Sequence, residues 1–442
     1  MNHRMRAGIV AIATLALAAA AHQVLAQPSP PAPAAATPPN PGRGGAANPD
    51  PAAQLSMPVA TTFTSKIGFF TAERDPGASY PRVIQLKVGA NKGTLLATYG
   101  HRGILPIWRS TDNGETWTHF SDVPQLSGQP CLYELPSQMG ELPAGTVLAC
   151  GIGTGRTVPN TSQLDVAVSR DFGKSWNFLS TIVTGRPGPY NAATRAGLAR
   201  DAAAPIWEPF LAADSRGRLV AYLSDERDKK NGFNQLLNHV VSEDGGKSWG
   251  PLVYDVAIPD GLSRPGMAIV TRDGKGKYYM SYELVSAPGY PLEPRTNAMH
   301  FRTSTDGLNW GDPKTPGTLI QDRWRQFPNG TPYIIWSPWG GPNGTLVASA
   351  RSVVRDNLGR VGGGVFINRN GGEGYWTLVE TPLWYDINND GYSHSMIALG
   401  DGQEILQLIS VNSRIYYSKF KLPEKLPTYG FPFDNGPDTG PR

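Results

Sequence analysis

The chain has 442 residues, of which 40% are hydrophobic and 17% are charged, and its formal net charge is +4 at pH 7. These values are ordinary for a soluble folded protein. The charge is too small, and no basic stripe is present, to predict a nucleic-acid partner. The sequence also lacks zinc-ligand spacing, a phosphate-binding loop and a nucleophile elbow, so we expect no metal and no cofactor.

The first 55 residues have the composition of a targeting segment and a linker. Two arginines precede an apolar run over 8–20, and residues 24–26 supply small side chains at the expected cleavage positions. This pattern predicts a secretory signal peptide over 1–26, with cleavage before Gln27. Residues 27–55 are rich in Pro and Ala and predict a disordered tether. We therefore expect a secreted or periplasmic protein, and no later segment predicts a membrane partner.

Five near-copies of one short pattern recur along the rest of the chain, and each ends in tryptophan. The copies at 110–117, 169–176 and 242–249 match position for position, the copy at 304–310 is one residue shorter, and that at 368–376 is degenerate. Their Asp and Gly residues supply side-chain-to-backbone hydrogen bonds and a positive φ. Each copy therefore predicts a hairpin turn covered by its tryptophan, with a structural and not a catalytic carboxylate.

A second repeat gives the number of units independently. Six apolar, strand-like runs each begin with a glycine, at Gly93, Gly145, Gly217, Gly276, Gly344 and Gly402. Both repeats divide residues 56–430 into six units of roughly 60 residues, enough for four strands each. The fold class is therefore all-β, a six-bladed β-propeller followed by a tail over 431–442. Because the sixth unit lacks the tryptophan pattern, we expect its outer strand to come from residues near 62–70.

Two cysteines fall on adjacent strands of the second unit. Cys131 and Cys150 flank a turn that contains Gly and Pro. In an oxidising compartment such a pair is expected to form a disulfide. The alternative is two buried thiols without a role.

Propeller geometry predicts which side chains meet at the axis. The start of each innermost strand and the end of the next strand lie on one face, which we call the mouth. The strand starts and strand ends together place eight polar residues there: Arg82, Glu208, Arg264, Tyr392, His101, Asp225, Glu283 and Arg351. Glycoside hydrolysis needs two carboxyl groups, one as acid and one as nucleophile or base. We therefore predict Glu208 and Glu283 as the catalytic pair, about 5–5.5 Å apart if configuration is retained.

The remaining mouth residues are candidates for binding the substrate or supporting the carboxylates. Tyr392 could donate a hydrogen bond to the nucleophile or itself attack the substrate. The substrate-binding candidates are Arg82, His101, Trp207, Asp225, Arg264, Arg351 and His394.

Each of these candidates has a structural alternative. Either glutamate could pair with an arginine to hold two blades together, and Arg82 and Arg264 could form inter-blade salt bridges. Asp225 begins a charge run of the kind that often marks a solvated loop. His101 and His394 are of a type that more often satisfies local hydrogen bonds than binds a ligand.

The tryptophan-ended turns resemble the Asp-boxes of sialidases and related propeller glycosidases. The stretch 80–83 resembles the arginine-bearing segment of sialidases, and 391–393 resembles their tyrosine segment. Sialidases, however, carry an acidic aspartate just after the first glycine-led strand. This chain has Tyr-Gly-His-Arg at 99–102, so that resemblance lacks its acid.

A broader resemblance is to glycoside hydrolase family 93, the exo-acting arabinanases. The similar stretches are 80–82, 132–136, 142–146, 207–210, 224–228, 263–267 and 282–283. The resemblance implies Glu208 as general acid/base, Glu283 as nucleophile and Tyr392 as a neighbouring support. It also implies release of arabinobiose from the non-reducing end of α-1,5-linked L-arabinan.

Three functions follow from these observations. The first is a secreted, retaining exo-α-1,5-L-arabinanase that acts as a monomer on an oligo- or polysaccharide. The alternatives are a sialidase or other propeller exo-glycosidase, and a non-catalytic carbohydrate-binding propeller. An exo-enzyme needs a wall across its mouth, and the loops at 288–295 and 323–325 could supply it, with Tyr290 or Trp324 stacking on a sugar. Both loops could equally be surface loops without ligand contact.

Overall fold

The computed structural model describes the chain over residues 62–63, 68–69, 78–101, 103–155, 162–187, 204–285, 297–355, 359–383, 385 and 391–426. The predicted signal peptide, tether and C-terminal tail, and the loop at 288–295, lie outside the described residues. Within those ranges, no helix has the length and apolar composition needed to cross a membrane.

The regular secondary structure of the described residues is β-strand, apart from single 3₁₀ turns at Gly89–Asn91 and Lys229–Asn231. The first half contains β1 (Thr62–Phe63), β2 (Gly68–Phe69), β3 (Ser79–Gln85), β4 (Leu95–Gly100), β5 (Leu105–Ser110), β6 (Thr118–Val123), β7 (Leu126–Glu134), β8 (Val147–Gly153), β9 (Gln163–Ser169), β10 (Asn177–Thr184), β11 (Ile206–Ala213), β12 (Leu219–Asp225), β13 (Leu236–Ser242) and β14 (Val253–Val256). The second half contains β15 (Arg264–Arg272), β16 (Tyr278–Val285), β17 (Asn297–Ser304), β18 (Thr318–Leu319), β19 (Phe327–Asn329), β20 (Tyr333–Ser337), β21 (Thr345–Ser349), β22 (Ser352–Arg355), β23 (Gly359–Val361), β24 (Val365–Asn368), β25 (Thr377–Val379), β26 (Ser395–Leu399), β27 (Glu404–Val411) and β28 (Arg414–Lys421).

These strands are arranged as six antiparallel blades around one axis. From the inside outward the blades are β3-β4-β5-β6, β7-β8-β9-β10, β11-β12-β13-β14, β15-β16-β17-β18, β20-β21-β24-β25 and β26-β27-β28-β1. Each innermost strand contacts the innermost strand of the next blade, and β26 of the sixth blade contacts β3 of the first. The ring is therefore closed, and the prediction of an all-β, six-bladed propeller is confirmed.

The ring closes through the N-terminal strand, as predicted from the missing sixth turn. Thr62 pairs with Lys421 and Phe63 with Phe420, so β1 forms the outer edge of the last blade. The second short strand, β2, pairs with the other end of β28.

One addition to the fold was not predicted. The strand β19 pairs with β17 and also with β22, and β22 pairs with β23. Along the chain, β22 and β23 come between β21 and β24 of the fifth blade. Their pairing with β19 therefore joins this part of the fifth blade to the fourth blade by main-chain hydrogen bonds.

The repeated tryptophan turns connect the third strand of a blade to the fourth, on the face opposite the mouth. In the first turn, Ser110 Oγ donates to Asp112 Oδ1 at 2.7 Å, and Thr116 N donates to the same oxygen at 3.0 Å. Burial opposes the charge of Asp112, but the hydrogen bonds from Thr116 and Ser110 lower its pKa to about 2. These carboxylates lie on peripheral turns, as predicted, and serve the turn itself.

The second and third of these turns also fasten one blade to the preceding one. Ser180 of β10 donates to Gly246 O in the next blade's turn at 2.5 Å, and Trp249 Nε1 donates to Ser180 Oγ at 3.1 Å. Ser121 of β6 makes the same pair of contacts with Gly173 and Trp176. The tryptophan therefore secures an inter-blade junction in addition to covering its own turn.

The hydrophobic core lies between blades. Leu96 and Leu105 of the first blade pack with Val147 of the second, whereas Leu95 faces the other way, toward Leu408 of the sixth. The two faces of each sheet are both buried against neighbours, which explains why the second strands read as continuous apolar runs.

The two cysteines do not form the expected disulfide. Cys131 and Cys150 lie directly opposite each other on β7 and β8, and both are buried free thiols. The main-chain N–H of Leu211 donates to the Cys131 sulfur at 3.4 Å, so this thiol contributes to the contact with the third blade.

Candidate active site

The mouth of the propeller is defined by six residues with left-handed backbone conformation, one from each blade. They lie within or just before the innermost strands: Tyr80 (φ 51°), Gln129 (φ 48°), Glu208 (φ 58°), Met267 (φ 59°), Thr331 (φ 44°) and Ser393 (φ 57°). A non-glycine residue in this region costs of order 1–3 kcal/mol, and such residues cluster at functional sites.

This conformation coincides with a bulge that changes which side chains face the axis. In the third blade, Trp207 pairs with Ser224 but the next paired residue is Phe210, which leaves Glu208 outside the ladder. The first and fourth blades skip in the same way, at Tyr80 and Met267. A bulge re-aims the side chain of the extra residue, and here it brings Glu208 into contact with other blades.

Glu208 is held by residues from three elements. Its Oε2 accepts a hydrogen bond from Ser224 Oγ at 2.8 Å, and its Oε1 lies 3.2 Å from the hydroxyl of Tyr80. Its main-chain N–H donates to Gln129 Oε1 at 3.0 Å. The carboxyl group and the backbone that carries it are therefore both fixed.

Glu283 lies next to Glu208, as predicted. It is on β16, opposite Gly266, and its Oε2 accepts the main-chain N–H of Thr331 at 2.8 Å. A Cβ at Gly266 would stand 3.6 Å from Glu283 Oε1 and 3.8 Å from Glu208 Oε2, so the two carboxyl groups meet above this residue. The same Cβ would lie only 2.7 Å from Gln235 Nε2, so a larger residue here would displace the end of that side chain.

Two tyrosines extend the hydrogen-bonded chain from Glu208. The hydroxyls of Tyr80 and Tyr392 are 3.2 Å apart, and their rings meet edge to face at 5.0 Å. A phenol has a single proton, so Tyr80 can donate to Glu208 while it accepts from Tyr392. The guanidinium of Arg351 lies over the ring of Tyr392, 5.6 Å from its centre.

The electrostatics distinguish the two carboxyl groups. Burial and the neighbouring Glu283 raise the pKa of Glu208 to about 7, against the hydrogen bonds from Ser224 and Tyr80. Burial also raises the pKa of Glu283, but the Thr331 amide and two arginines oppose that effect. Glu208 is therefore the group suited to carry a proton near neutral pH, and Glu283 is the group surrounded by donors and positive charge.

Both phenols stay protonated. Burial and the nearby carboxyl groups raise the pKa of Tyr392 and of Tyr80 above the ordinary tyrosine value. They are hydrogen-bond donors and acceptors in this site.

Two predicted substrate-binding arginines are engaged elsewhere. Arg82 is 6% exposed, and its Nη1 donates to Pro81 O at 2.7 Å and to Ser393 Oγ at 3.0 Å. It lies beneath the left-handed residues and ties the first blade to the sixth, which is a correction to the prediction. Arg264 donates to Glu226 at 2.8 Å and so forms an inter-blade salt bridge, while its charge still acts on both catalytic carboxyl groups.

Asp225 and His394 are also structural, contrary to the prediction that they line the site. Asp225 is 4% exposed and accepts hydrogen bonds from Arg227 and from Asn238. His394 is 1% exposed, and burial lowers its pKa to about 3, so it is neutral beside the hydroxyl of Tyr385.

The other predicted residues lie at the edges of the site. Trp207 is half-buried next to Glu208, and its Nε1 donates to Glu226 at 3.0 Å. His101 pairs with Ile104 in a short bridge that follows β4. Trp324 lies within a turn and is 5.9 Å from the Arg323 guanidinium, so its stacking role stays a prediction.

Four residues of the site were not predicted from the sequence: Tyr80, Gln129, Ser224 and Thr331. Three of them carry a signal in the sequence: Tyr80, Gln129 and Thr331 are each followed by proline at the start of a blade. The predicted residue Glu208 is followed by proline in the same way. Ser224 carries no such signal, because it lies at the end of a second strand, directly before the charge run that begins at Asp225.

Comparison with solved structures identifies the class of enzyme. The chain shares 31% sequence identity and a TM-score of 0.66 with an α-L-arabinanase from Penicillium chrysogenum solved with arabinobiose, over 83% of this chain and 98% of that one. It shares 27% identity and a TM-score of 0.65 with the GH93 α-L-arabinofuranosidase of Fusarium graminearum, over 83% and 98% of the two chains. The fold and the paired carboxyl groups thus define a propeller glycosidase. The chain belongs to glycoside hydrolase family 93.

A more distant sequence relative is named a sialidase. A sialidase from Micromonospora viridifaciens is 22% identical over 242 residues, which span 52% of this chain and 33% of that protein. The similarity thus covers only about a third of the sialidase, and its activity is not carried over to this chain. No family model matches the sequence.

Proposed function

We propose that this glycosidase is a retaining exo-α-1,5-L-arabinanase that releases arabinobiose from the non-reducing end of arabinan. The observation that carries the proposal is the meeting of Glu208 and Glu283 above Gly266. It is supported by 31% identity to an arabinanase solved with arabinobiose.

In the first step, Glu208 donates its proton to the glycosidic oxygen as the bond to the anomeric carbon breaks. Glu283 attacks that carbon and forms a covalent glycosyl-enzyme, while the remaining arabinan leaves with the proton. The raised pKa of Glu208 keeps the donor protonated in the free enzyme. In the second step, Glu208 removes a proton from water, and the water oxygen displaces Glu283 and restores both groups.

The surrounding residues support these two charge states. When Glu208 is ionised, Ser224 and Tyr80 each donate a hydrogen bond to one of its oxygens. The Thr331 amide holds one oxygen of Glu283, which leaves the other directed toward Gly266. We assign Tyr392 a supporting role, because its raised pKa disfavours the phenolate that a nucleophile would require.

Product analysis on linear α-1,5-arabinan tests the proposal. We expect one small product, arabinobiose, at the earliest times, released with retained anomeric configuration as read by NMR. A ladder of oligosaccharides would show endo action, and an inverted product would show that water attacks directly. The Glu283→Gln variant is the control for contaminating activity.

We also propose that the enzyme is exported. The basic and apolar pattern over 1–26 supports this, together with small residues before Gln27. N-terminal sequencing of protein produced from the full chain should give a mature end at Gln27. Recovery of the full chain with Met1 intact in the cytoplasm would contradict export.

A further inference from the structure

The third blade carries an unusual concentration of exposed apolar side chains. Four of the five large hydrophobic residues with high exposure in the described part of the chain lie there: Leu252 (37%), Val253 (47%), Tyr254 (42%) and Leu262 (59%). The ring of Phe233 meets that of Tyr254 edge to face at 5.8 Å. Single exposed apolar residues are ordinary, but a cluster marks a binding surface. We call Phe233, Tyr254 and Leu262 the rim patch.

The rim patch is connected to the catalytic mouth by two loops that bond to each other. Gly261 N donates to Gly232 O at 2.8 Å, and Asn234 Nδ2 donates to Leu262 O at 3.1 Å. The residues that follow in both loops, Gln235 and Arg264, are hydrogen-bonded at 2.6 Å. Gln235 is buried, but Arg264 is partly exposed. The loop that carries Leu262 therefore leads from the rim patch to a residue whose charge acts on both catalytic carboxyl groups.

Further hydrogen bonds link Arg264 to Trp207, the residue that precedes Glu208. Arg264 donates to Glu226, and Glu226 accepts the Nε1–H of Trp207, the residue before Glu208. The loop that carries Leu262 and Arg264 is thus held by hydrogen bonds to the residue next to Glu208, which places the rim patch on the mouth side of the third blade.

The chemistry of the rim patch suits a neutral sugar chain. Aromatic rings offer apolar faces for the C–H surfaces of sugars, and polar groups at their edges orient hydroxyls. The hydroxyl of Tyr254 donates to Asp228 at 2.7 Å, and Asp260 lies in the second loop beside Leu262. The positive charges of Arg227, Lys229 and Lys230 offset those of Glu226, Asp228 and Asp260. The charges around the rim patch therefore nearly cancel, which favours a neutral chain such as arabinan over a charged polymer.

We propose that the rim patch binds the part of the arabinan chain that extends beyond the sugars being cleaved. This proposal rests on the proposed function. An enzyme that takes only the chain end into its mouth leaves the rest of the polymer outside. A surface that holds the remainder raises the affinity for polymer without touching the reacting bond.

The experiment compares the polymer with a short substrate. In the doubly substituted variant Tyr254→Ala/Leu262→Ala, we expect KM for linear arabinan to rise roughly three- to tenfold. The kcat and KM for arabinotriose, which is too short to reach the rim patch, should stay unchanged. Phe178→Ala is the matched control, because Phe178 is 54% exposed on β10 of the second blade. Binding of linear arabinan by each protein in a catalytically inactive Glu208→Gln background gives a second measurement.

The outcomes separate the rim patch from the proposed function. If wild-type protein does not cleave arabinan or arabinotriose, the proposed function is wrong. If it cleaves both, and the double variant has unchanged KM and unchanged binding for the polymer, the rim patch proposal is overturned alone. A concentration-dependent dimer that the double substitution abolishes, with unchanged polymer KM, would assign the patch to a second copy of the chain and also overturn it.

Discussion

Ser224 and Glu283 occupy equivalent positions on successive blades, and each accepts the main-chain N–H of the left-handed residue on the following blade. Met267 N donates to Ser224 Oγ at 2.9 Å, and Thr331 N donates to Glu283 Oε2 at 2.8 Å. The carboxyl group proposed as nucleophile therefore also fulfils a structural role that serine fulfils one blade earlier. This double role determines how its substitutions will behave.

We expect Glu283→Gln and Glu283→Ala to lose activity equally but to differ in stability. Loss of the nucleophile should lower kcat by roughly two to four orders of magnitude or more in both. Glutamine keeps an oxygen that can accept the Thr331 N–H, whereas alanine leaves it without a partner, at a cost of about 1–3 kcal/mol. Thermal unfolding measures the difference. Equal unfolding temperatures would show that water replaces the carboxylate without cost.

The ionisation of Glu208 should make the stability of the protein depend on pH. Its pKa is about 7 in the folded protein and 4.5 ordinarily, so folding favours the neutral form. The free energy of unfolding that this group contributes is thus fully present below pH 4.5 and is lost as pH rises to about 7. Glu208→Gln does not titrate, so its unfolding temperature should rise relative to wild type between pH 4.5 and about pH 7.

A matched variant tests that this effect belongs to the buried site. Glu243 is a glutamate with a 73% exposed side chain on the third blade. The difference between Glu243→Gln and wild type should vary much less over the same pH range. A parallel rise in both variants would contradict the assignment to Glu208.

Tyr80 should set the alkaline limit of activity through Glu208. The acid must be protonated for the first step, so kcat/KM should fall above about pH 7. The Tyr80 hydrogen bond favours the ionised form of Glu208. Its loss in Tyr80→Phe should raise the pKa further and move the alkaline limb to higher pH. Tyr417→Phe, which removes a phenol bonded to Glu115 O on the outer strand, should leave the limb unmoved.

The inter-blade serines should matter for stability and not for catalysis. Ser180→Ala removes the acceptor of Trp249 Nε1 and the donor to Gly246 O, and we expect a loss of about 1–3 kcal/mol. The value of kcat/KM below the unfolding temperature should be unchanged. Thr118→Ala on the exposed outer strand of the first blade is the control, and an equal loss there would contradict a specific junction.

The repeats predicted the architecture because each unit folds by the same local rules. The turns at Asp112, Asp171, Asp244 and Asp306 connect the third and fourth strands as their residue types require. The absence of a sixth turn correctly indicated that β1 completes the last blade. Both predictions depended on short-range patterns with a fixed period.

The site was predicted less completely because the spacing of residues in the sequence does not indicate where a strand contains a bulge. The predicted starts of the innermost strands in the first and fourth blades are Arg82 and Arg264, whereas the left-handed residues there are Tyr80 and Met267. A bulge inserts a residue and changes the face that each side chain presents, so a count that ignores it misplaces the left-handed residue by two positions in the first blade and three in the fourth. Glu208 is itself the left-handed residue of its blade, so the predicted strand start coincides with the residue at the mouth, and its catalytic role stays a prediction.

The pairing of Thr62 with Lys421 also bears on how the protein is made. A ribosome must add roughly 360 residues after the first of these before the second is available, so β1 has no partner strand for most of synthesis. Earlier blades can form in sequence, but the circle cannot close cotranslationally until the last strand emerges. A nascent chain of this design therefore completes its last blade only when translation is nearly finished.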